Sequence, residues 1–87
     1  MYKNFIPKAL TANGTTTIGA CVLAGIFVNK AMTGTLVIKD DTVTVGTIAA
    51  TSPAGSYWIC PQGTAFGNLS IVSNSAADDA SIAFSNV

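Results

Sequence analysis

Residues 18–28 carry apolar side chains on both faces of the strand that their alternation predicts. One face is formed by the even positions, which are Ile18, Ala20, Val22, Ala24, Ile26 and Val28. The other face contains Cys21, Leu23 and Phe27. A strand that is apolar on both sides is buried on both sides, or has one side in a subunit contact. The run is far shorter than the roughly 20 residues that a membrane-spanning helix needs, so we expect a core strand.

Turn residues divide the rest of the chain into short strands. The breaks fall at Asn13-Gly14, Thr33-Gly34, Asp40-Asp41 and residues 52–55, 61–63 and 67–68. Between them, β-branched residues are common and strong helix formers are scarce, which favours strands. Short strands at such spacing are typical of sandwiches and barrels. The sequence therefore predicts an all-β fold, a small antiparallel β-sandwich or jelly-roll-like barrel of about seven to eight short strands.

The predicted core takes the even face of the first long strand together with residues of later strands. It comprises Val22, Ala24, Ile26, Val28, Leu36, Ile38, Ile82 and Phe84. A slip of one residue would invert every face. The first dozen residues include Pro7 and are less typical of a packed strand, so we predict an N-terminal arm over residues 1–12 and a β-sandwich domain over residues 13–87.

The chain has few ionisable side chains for acid–base chemistry. Only 9% of its residues are charged, and it contains no histidine, whereas ordinary domains carry about 25% charged residues. General acid–base catalysis usually needs His, a carboxylate, Lys, Tyr or Cys in a perturbing environment. The acidic residues form two adjacent pairs, Asp40-Asp41 and Asp78-Asp79, in contexts typical of solvated turns. We therefore predict that the chain is not an enzyme and uses no catalytic residues, no metal and no cofactor.

Two cysteines, Cys21 and Cys60, leave two alternatives open. Both can be small buried apolar residues with unreactive thiols. A disulfide between them would close a long loop and add roughly 3–4 kcal/mol of stability. The chain offers no histidine beside these two distant thiols, so a metal site is not expected.

The low charge also limits the classes of partner. The four lysines are scattered, whereas binding to nucleic acid or to an anionic membrane needs several positive charges together, so we expect neither. The N-terminus shows no apolar core followed by a small-residue cleavage site, so no signal peptide is expected. Because so little charge protects a surface poorly against association, we expect another protein to cover much of it.

Aromatic and apolar side chains supply the candidate contacts. The predicted partner-binding residues are Tyr2, Phe5, Ile6 and Trp58. The first three would anchor the N-terminal arm on a neighbouring subunit. Tyr57 and Trp58 occupy adjacent strand positions and point to opposite faces, so one belongs to the core and the other to a surface. Trp is a common anchor of protein–protein contacts.

The order and texture of residues 19–84 resemble those of small virion proteins of tailed bacteriophages. The resemblance lies in the stretches CVLAGIFVN (21–29), TGTLVIKD (33–40), VGTIA (45–49), YW (57–58), LSIV (69–72) and ASIAF (80–84). Such proteins are compact β-sandwich decoration (cement) or head-fibre proteins bound to the outside of capsids. The resemblance implies a chain made in the host cytoplasm and located on the capsid surface, in the virion. It also implies a homo-oligomer, with a trimer favoured, and no catalytic residues.

The predicted function is therefore structural: decoration and cementing of the capsid exterior through the major capsid protein. Two alternatives stay open. A β-module associated with a tail or fibre would share the same sequence texture. A carbohydrate- or cell-surface-binding module would instead show exposed aromatic residues with polar neighbours on one face.

Overall fold

A computed structural model describes residues 5–86, apart from the side chains of residues 58–62. The described chain forms six β-strands and no helix. These are β1 (Ile6–Ala9), β2 (Thr15–Val28), β3 (Leu36–Asp40), β4 (Val43–Ile48), β5 (Gly55–Ser73) and β6 (Ala80–Asn86). The prediction of an all-β fold is confirmed.

All six strands belong to one antiparallel sheet with the order β1-β6-β2-β5-β3-β4. β2 lies between β6 and β5, and it is therefore the central strand that its two apolar faces predicted. Val22 and Leu23 point to opposite faces of β2, and both are buried. Within the described residues, β1 and β4 form the two edges of the sheet.

The longest strand, β5, joins two strands that the sequence predicted separately. Its pairing with β2 is regular up to Leu23 opposite Thr64 and resumes at Gly25 opposite Ile59. Ala24 of β2 therefore faces four residues of β5, numbers 60–63. An irregularity of this kind bends a strand and increases its twist. The structure accordingly has six elements, one of them composed of two arms on either side of this excursion.

The buried core requires the sheet to fold over on itself. A flat sheet without helices leaves both of its faces open to water, yet Leu23, Leu36 and Leu69 are fully buried. The molecule measures 17 Å along its shortest axis, which accommodates two layers of strands about 10 Å apart. The result agrees with the small sandwich or barrel that the sequence predicted.

The core draws on every strand except β1. Its members are Cys21, Leu23, Ile26, Val28, Met32, Leu36, Ile38, Ile48, Phe66, Leu69, Ile71, Ala80, Ile82 and Phe84. Each large aliphatic side chain that is fully buried contributes about 1.5–3 kcal/mol. The interior therefore supplies most of the stability of so small a domain.

The prediction of a single even-numbered core face in β2 is only partly right. Ile26 and Val28 lie in the core, as predicted, but the inward position before them is Leu23. Val22 is buried on the opposite face, and Ala24 is half-buried. The reason is the bulge at Ala24, where the register with β6 shifts by one residue and the inward positions change from odd to even. The predicted core residues of the later strands are confirmed; they are Leu36, Ile38, Ile82 and Phe84.

The segment predicted as an arm contributes a strand to the sheet. Residues 6–9 form β1 and pair with β6, and Leu10 packs against the core. Pro7 has no backbone N–H, so it is tolerated at a sheet edge rather than in a central strand. All four residues of β1 are exposed, and residues 1–4 lie outside the described residues.

Three residues outside glycine adopt positive φ at turns. Asn13 (φ 51°) and Asp41 (φ 57°) lie in turns that the sequence predicted, and both types tolerate this conformation. Thr51 (φ 69°) follows β4. For a β-branched residue this conformation is strained.

Candidate binding surfaces

The structure places two of the four predicted partner-binding residues, Phe5 and Ile6. Tyr2 and the side chain of Trp58 lie outside what it describes. The Ile6 side chain is 48% exposed at the start of β1. Phe5 is half-buried beside Gly63 of its own chain, where a β-carbon on the glycine would come within 3.6 Å of its ring and would overlap Val22. Ile6 is therefore free for an intermolecular contact, whereas Phe5 already has an intramolecular one that the sequence did not reveal.

The β1 edge is protected against the addition of another strand. Pro7 and Lys8 occupy its two middle positions, and proline and lysine are devices that blunt exposed sheet edges. The inner side of β1 is fixed by its pairing with β6, and the Leu10 amide continues this attachment by donating to the Ala80 carbonyl at 2.9 Å. A partner at this edge would therefore contact side chains, above all Ile6, more than backbone.

The β4 edge carries no comparable protection in its sequence. It contains neither proline nor a charged residue. Val43 and Val45 are 62% and 46% exposed, more than most apolar side chains of the domain. Its irregularity is a bulge at Val45, where the register with β3 shifts by one residue. Sequence reasoning missed these two valines because the sequence does not show which strands lie at an edge.

A cleft of about 330 Å³ opens beside β4, towards β2 and the start of β5. Its lining consists of Ile26, Ile38, Gly46, Thr47, Ile48, Ala49, Ser52 and Tyr57, so no charged side chain among the described residues lines it. The Ser52 hydroxyl donates to the Ala49 carbonyl at 2.7 Å, and the Tyr57 hydroxyl donates to the Pro53 carbonyl. Both hydroxyl oxygens are left as acceptors. The volume is at the lower end for small-molecule sites.

The carboxylate of Asp78 connects two loops at one end of the sheet. Its Oδ1 accepts from the amide and hydroxyl of Thr33 and from the Gly34 amide, each at 3.4 Å, and its Oδ2 accepts from the Ser73 hydroxyl at 2.7 Å. Burial favours the neutral acid, but these hydrogen bonds outweigh it and hold the pKa of Asp78 below its ordinary value. The loops approach so closely that a β-carbon on Gly34 would lie 2.9 Å from the Asn74 carbonyl.

The other three aspartates also hold structure together. Asp40 accepts from the Asn68 amide at 3.0 Å, and Asp41 accepts from the Asn68 side chain at 3.3 Å. Asp79 accepts from the Asn29 side chain at 3.1 Å. The prediction of simply solvated turn residues is therefore wrong in one respect, because these carboxylates tie neighbouring segments together. In residues that the structure describes, no group of three His, Cys, Asp or Glu could hold a metal ion.

Cys21 is a buried free thiol in the core. Burial, with a further contribution from the negative charge of Asp40, raises the pKa of Cys21 above its ordinary value. Since the thiolate is the reactive form, this environment disfavours reaction. The prediction that Cys21 is buried is confirmed, while the prediction for Cys60 falls on a side chain outside the description.

Comparisons with protein-family models, with curated proteins and with solved structures find no match to this chain. Across the described residues, no helix has the length and apolar character needed to cross a bilayer. The described surface offers two means of binding. Exposed strand edges can contact another protein, and the uncharged cleft can hold a small neutral group.

Proposed function

We propose that the chain is a virion structural protein that decorates and cements a capsid exterior by binding the major capsid protein. The observation that carries this proposal is the exposed β1 edge. It presents Ile6 to solvent directly after the apolar N-terminal residues Tyr2 and Phe5. The chain would act as a structural component rather than as an enzyme.

The charge of the chain supports a permanent contact. Four basic and four acidic residues cancel, so long-range electrostatic steering contributes little to association. Permanent interfaces are more hydrophobic than transient ones. A surface of apolar and neutral polar groups suits a partner that stays bound.

Cementing follows from mass action. A protein that binds the assembled shell but not its separated parts stabilises the shell in proportion to the logarithm of its own free concentration over the dissociation constant. Capsids bearing the chain should therefore survive heat or osmotic shock better than capsids without it. No chemical step is needed for this effect.

The structure sharpens the experiment on the N-terminal contact. Removing residues 2–10 would also remove β1 and expose the edge of β6, so a smaller change is better. Ile6→Lys places a charge at the exposed position without touching the sheet, and Ala76→Lys places the same charge on an exposed loop as a control. A third variant lacking residues 2–4 removes Tyr2 and leaves β1 in place.

The measurement is co-sedimentation of each purified variant with empty capsids of the virus that carries the gene. Ile6→Lys should weaken binding at least tenfold, because a charge buried at an interface loses its hydration. Ala76→Lys should bind like the original chain. Unchanged binding of both the Ile6→Lys and the truncated variant would refute the assigned contact, and failure of the original chain to sediment would refute the proposed function.

The cleft favours a second candidate, a carbohydrate- or cell-surface-binding module. An exposed Tyr57 beside hydroxyl acceptors is suited to a neutral ligand that donates hydrogen bonds. Such a module would bind neutral glycans on an array, and Tyr57→Ala would abolish that binding while Ile6→Lys would not. A tail- or fibre-associated module would share the surfaces described for the capsid protein, and immuno-electron microscopy of virions would distinguish head from tail location.

A further inference from the structure

The free edge of β4 differs from what isolated β-proteins usually present to solvent. Natural sheets protect their edges with proline, with charged side chains, with inward-pointing charges or with a covering segment. β4 has no proline or charged residue over Val43–Ile48, and it is the terminal strand of the described sheet. The bulge at Val45 twists this edge but leaves both exposed valines in place. Such an edge is suited to being covered by another strand.

We infer that β4 pairs with β4 of a second copy of this chain, antiparallel across a two-fold axis. The pairing would extend the sheet from one subunit into the next. This interface is separate from the capsid contact at β1 and does not rest on the proposed function.

Charge is the first reason to assign a second copy to this edge. When identical strands pair, any charged residue risks facing its own kind, and like charges directly opposite each other are destabilising. Because Val43–Ile48 carries no charge, no register of the pairing brings like charges together. A strand that must pair with itself is well served by such a sequence.

Symmetry is the second reason. Two identical edges related by a two-fold axis satisfy each other at once, and the contact is closed. A different partner strand would cover one edge without explaining why the strand lacks charge along its whole length. A two-fold contact also predicts a dimer, which differs from the trimer that the virion resemblance favours.

The expected affinity is modest. One six-residue strand on each side offers less area than the roughly 800 Å² per partner of a standard stable interface. The gain comes from the exposed Val43 and Val45 and from the backbone hydrogen bonds along the edge. β4 also provides Gly46, Thr47 and Ile48 to the cleft wall, so a strand added there would lie beside the cleft. The dimer should therefore form and dissociate with protein concentration.

Sedimentation equilibrium of the purified full chain, without capsids, tests the inference. The original chain should show a concentration-dependent monomer–dimer equilibrium. Val43→Lys should weaken it at least tenfold, because the two lysines introduced in a dimer desolvate at the interface and repel each other. Ile6→Lys and Ala76→Lys should dimerise like the original chain, and circular dichroism should show the same strand content in all variants.

A second measurement needs no variant. In hydrogen exchange followed by mass spectrometry, the amides of residues 43–48 should become more protected as concentration rises, while those of β1 should not change. A chain that is monomeric throughout, a trimer, a dimer unaffected by Val43→Lys, or concentration-dependent protection at β1 alone would each overturn the inference. Because capsids are absent, these outcomes are independent of the capsid-binding experiment.

Discussion

The two edges of the sheet, β1 and β4, differ both in how they are protected and in how they are attached. β1 carries Pro7 and Lys8 and has all of its residues exposed. β4 has no such residues, yet its last residue, Ile48, is buried in the core. The first edge can present side chains while it resists strand pairing. The second presents backbone on a strand that the core holds in place. The comparison indicates that one sheet can offer two kinds of interface, one at each edge.

The largest expected effect tests the difference in attachment. Ile48→Ala should lower the free energy of unfolding by about 2–5 kcal/mol, because it removes core packing and leaves a cavity. Ile6→Ala should cost less than about 0.5 kcal/mol, as is usual for an exposed position. Urea denaturation with an unchanged m-value would measure both. Similar losses for the two variants would show that the edges are attached alike.

Acidification should separate the stability of the fold from pairing at the β4 edge. The pKa of Asp78 is lowered in the folded state, so this carboxylate contributes stability above its unfolded pKa of about 4, and the contribution is lost as pH falls through the folded value. Asp78→Asn should therefore reduce the decline of stability in acid, measured by thermal melts at several pH values.

Neither edge strand contains a carboxylate. The monomer–dimer equilibrium should therefore stay constant over the pH range in which the fold is still intact. A dimer that dissociates before the fold loses stability would place titrating groups at the interface and would contradict the assignment to β4.

The smallest expected effect concerns the loop that follows β4. Thr51 adopts φ 69°, a conformation that asparagine tolerates better than threonine. Thr51→Asn should raise the free energy of unfolding by about 0.5–1 kcal/mol, the lower part of the range for such local strain. Ala50→Asn, on the preceding exposed residue, is the matched control and should change little. A stability loss in the Thr51 variant would show that the threonine side chain itself supports the end of β4.

Local patterns in the sequence predicted the strands and turns but not their neighbours in the sheet. Asn13 and Asp41 marked turns correctly because their conformational preferences are local. The switch of faces at Ala24 could not be predicted, since it depends on four residues of β5 that are distant in sequence.

The candidate binding surfaces show the same limit. Exposure of Ile6 agrees with the low packing expected for the N-terminal segment, but the contact of Phe5 beside Gly63 joins distant parts of the chain. The importance of Val43 and Val45 depends on β4 being an edge, and strand order is set by the whole topology. Residue type alone could therefore suggest Ile6 but not the two valines.

The extra residue at Ala24 also bears on how the chain could change in length. Leu23 and Ile26 flank the bulge and both face the core, opposite Phe84 and Ile82 of β6. In most strands the loss of one residue turns every later side chain to the wrong face. Here, deletion of Ala24 would restore regular alternation with the same side chains still directed inward. Shape and interior are therefore encoded separately, so evolution could straighten or bend this sheet without having to rebuild what lies inside it.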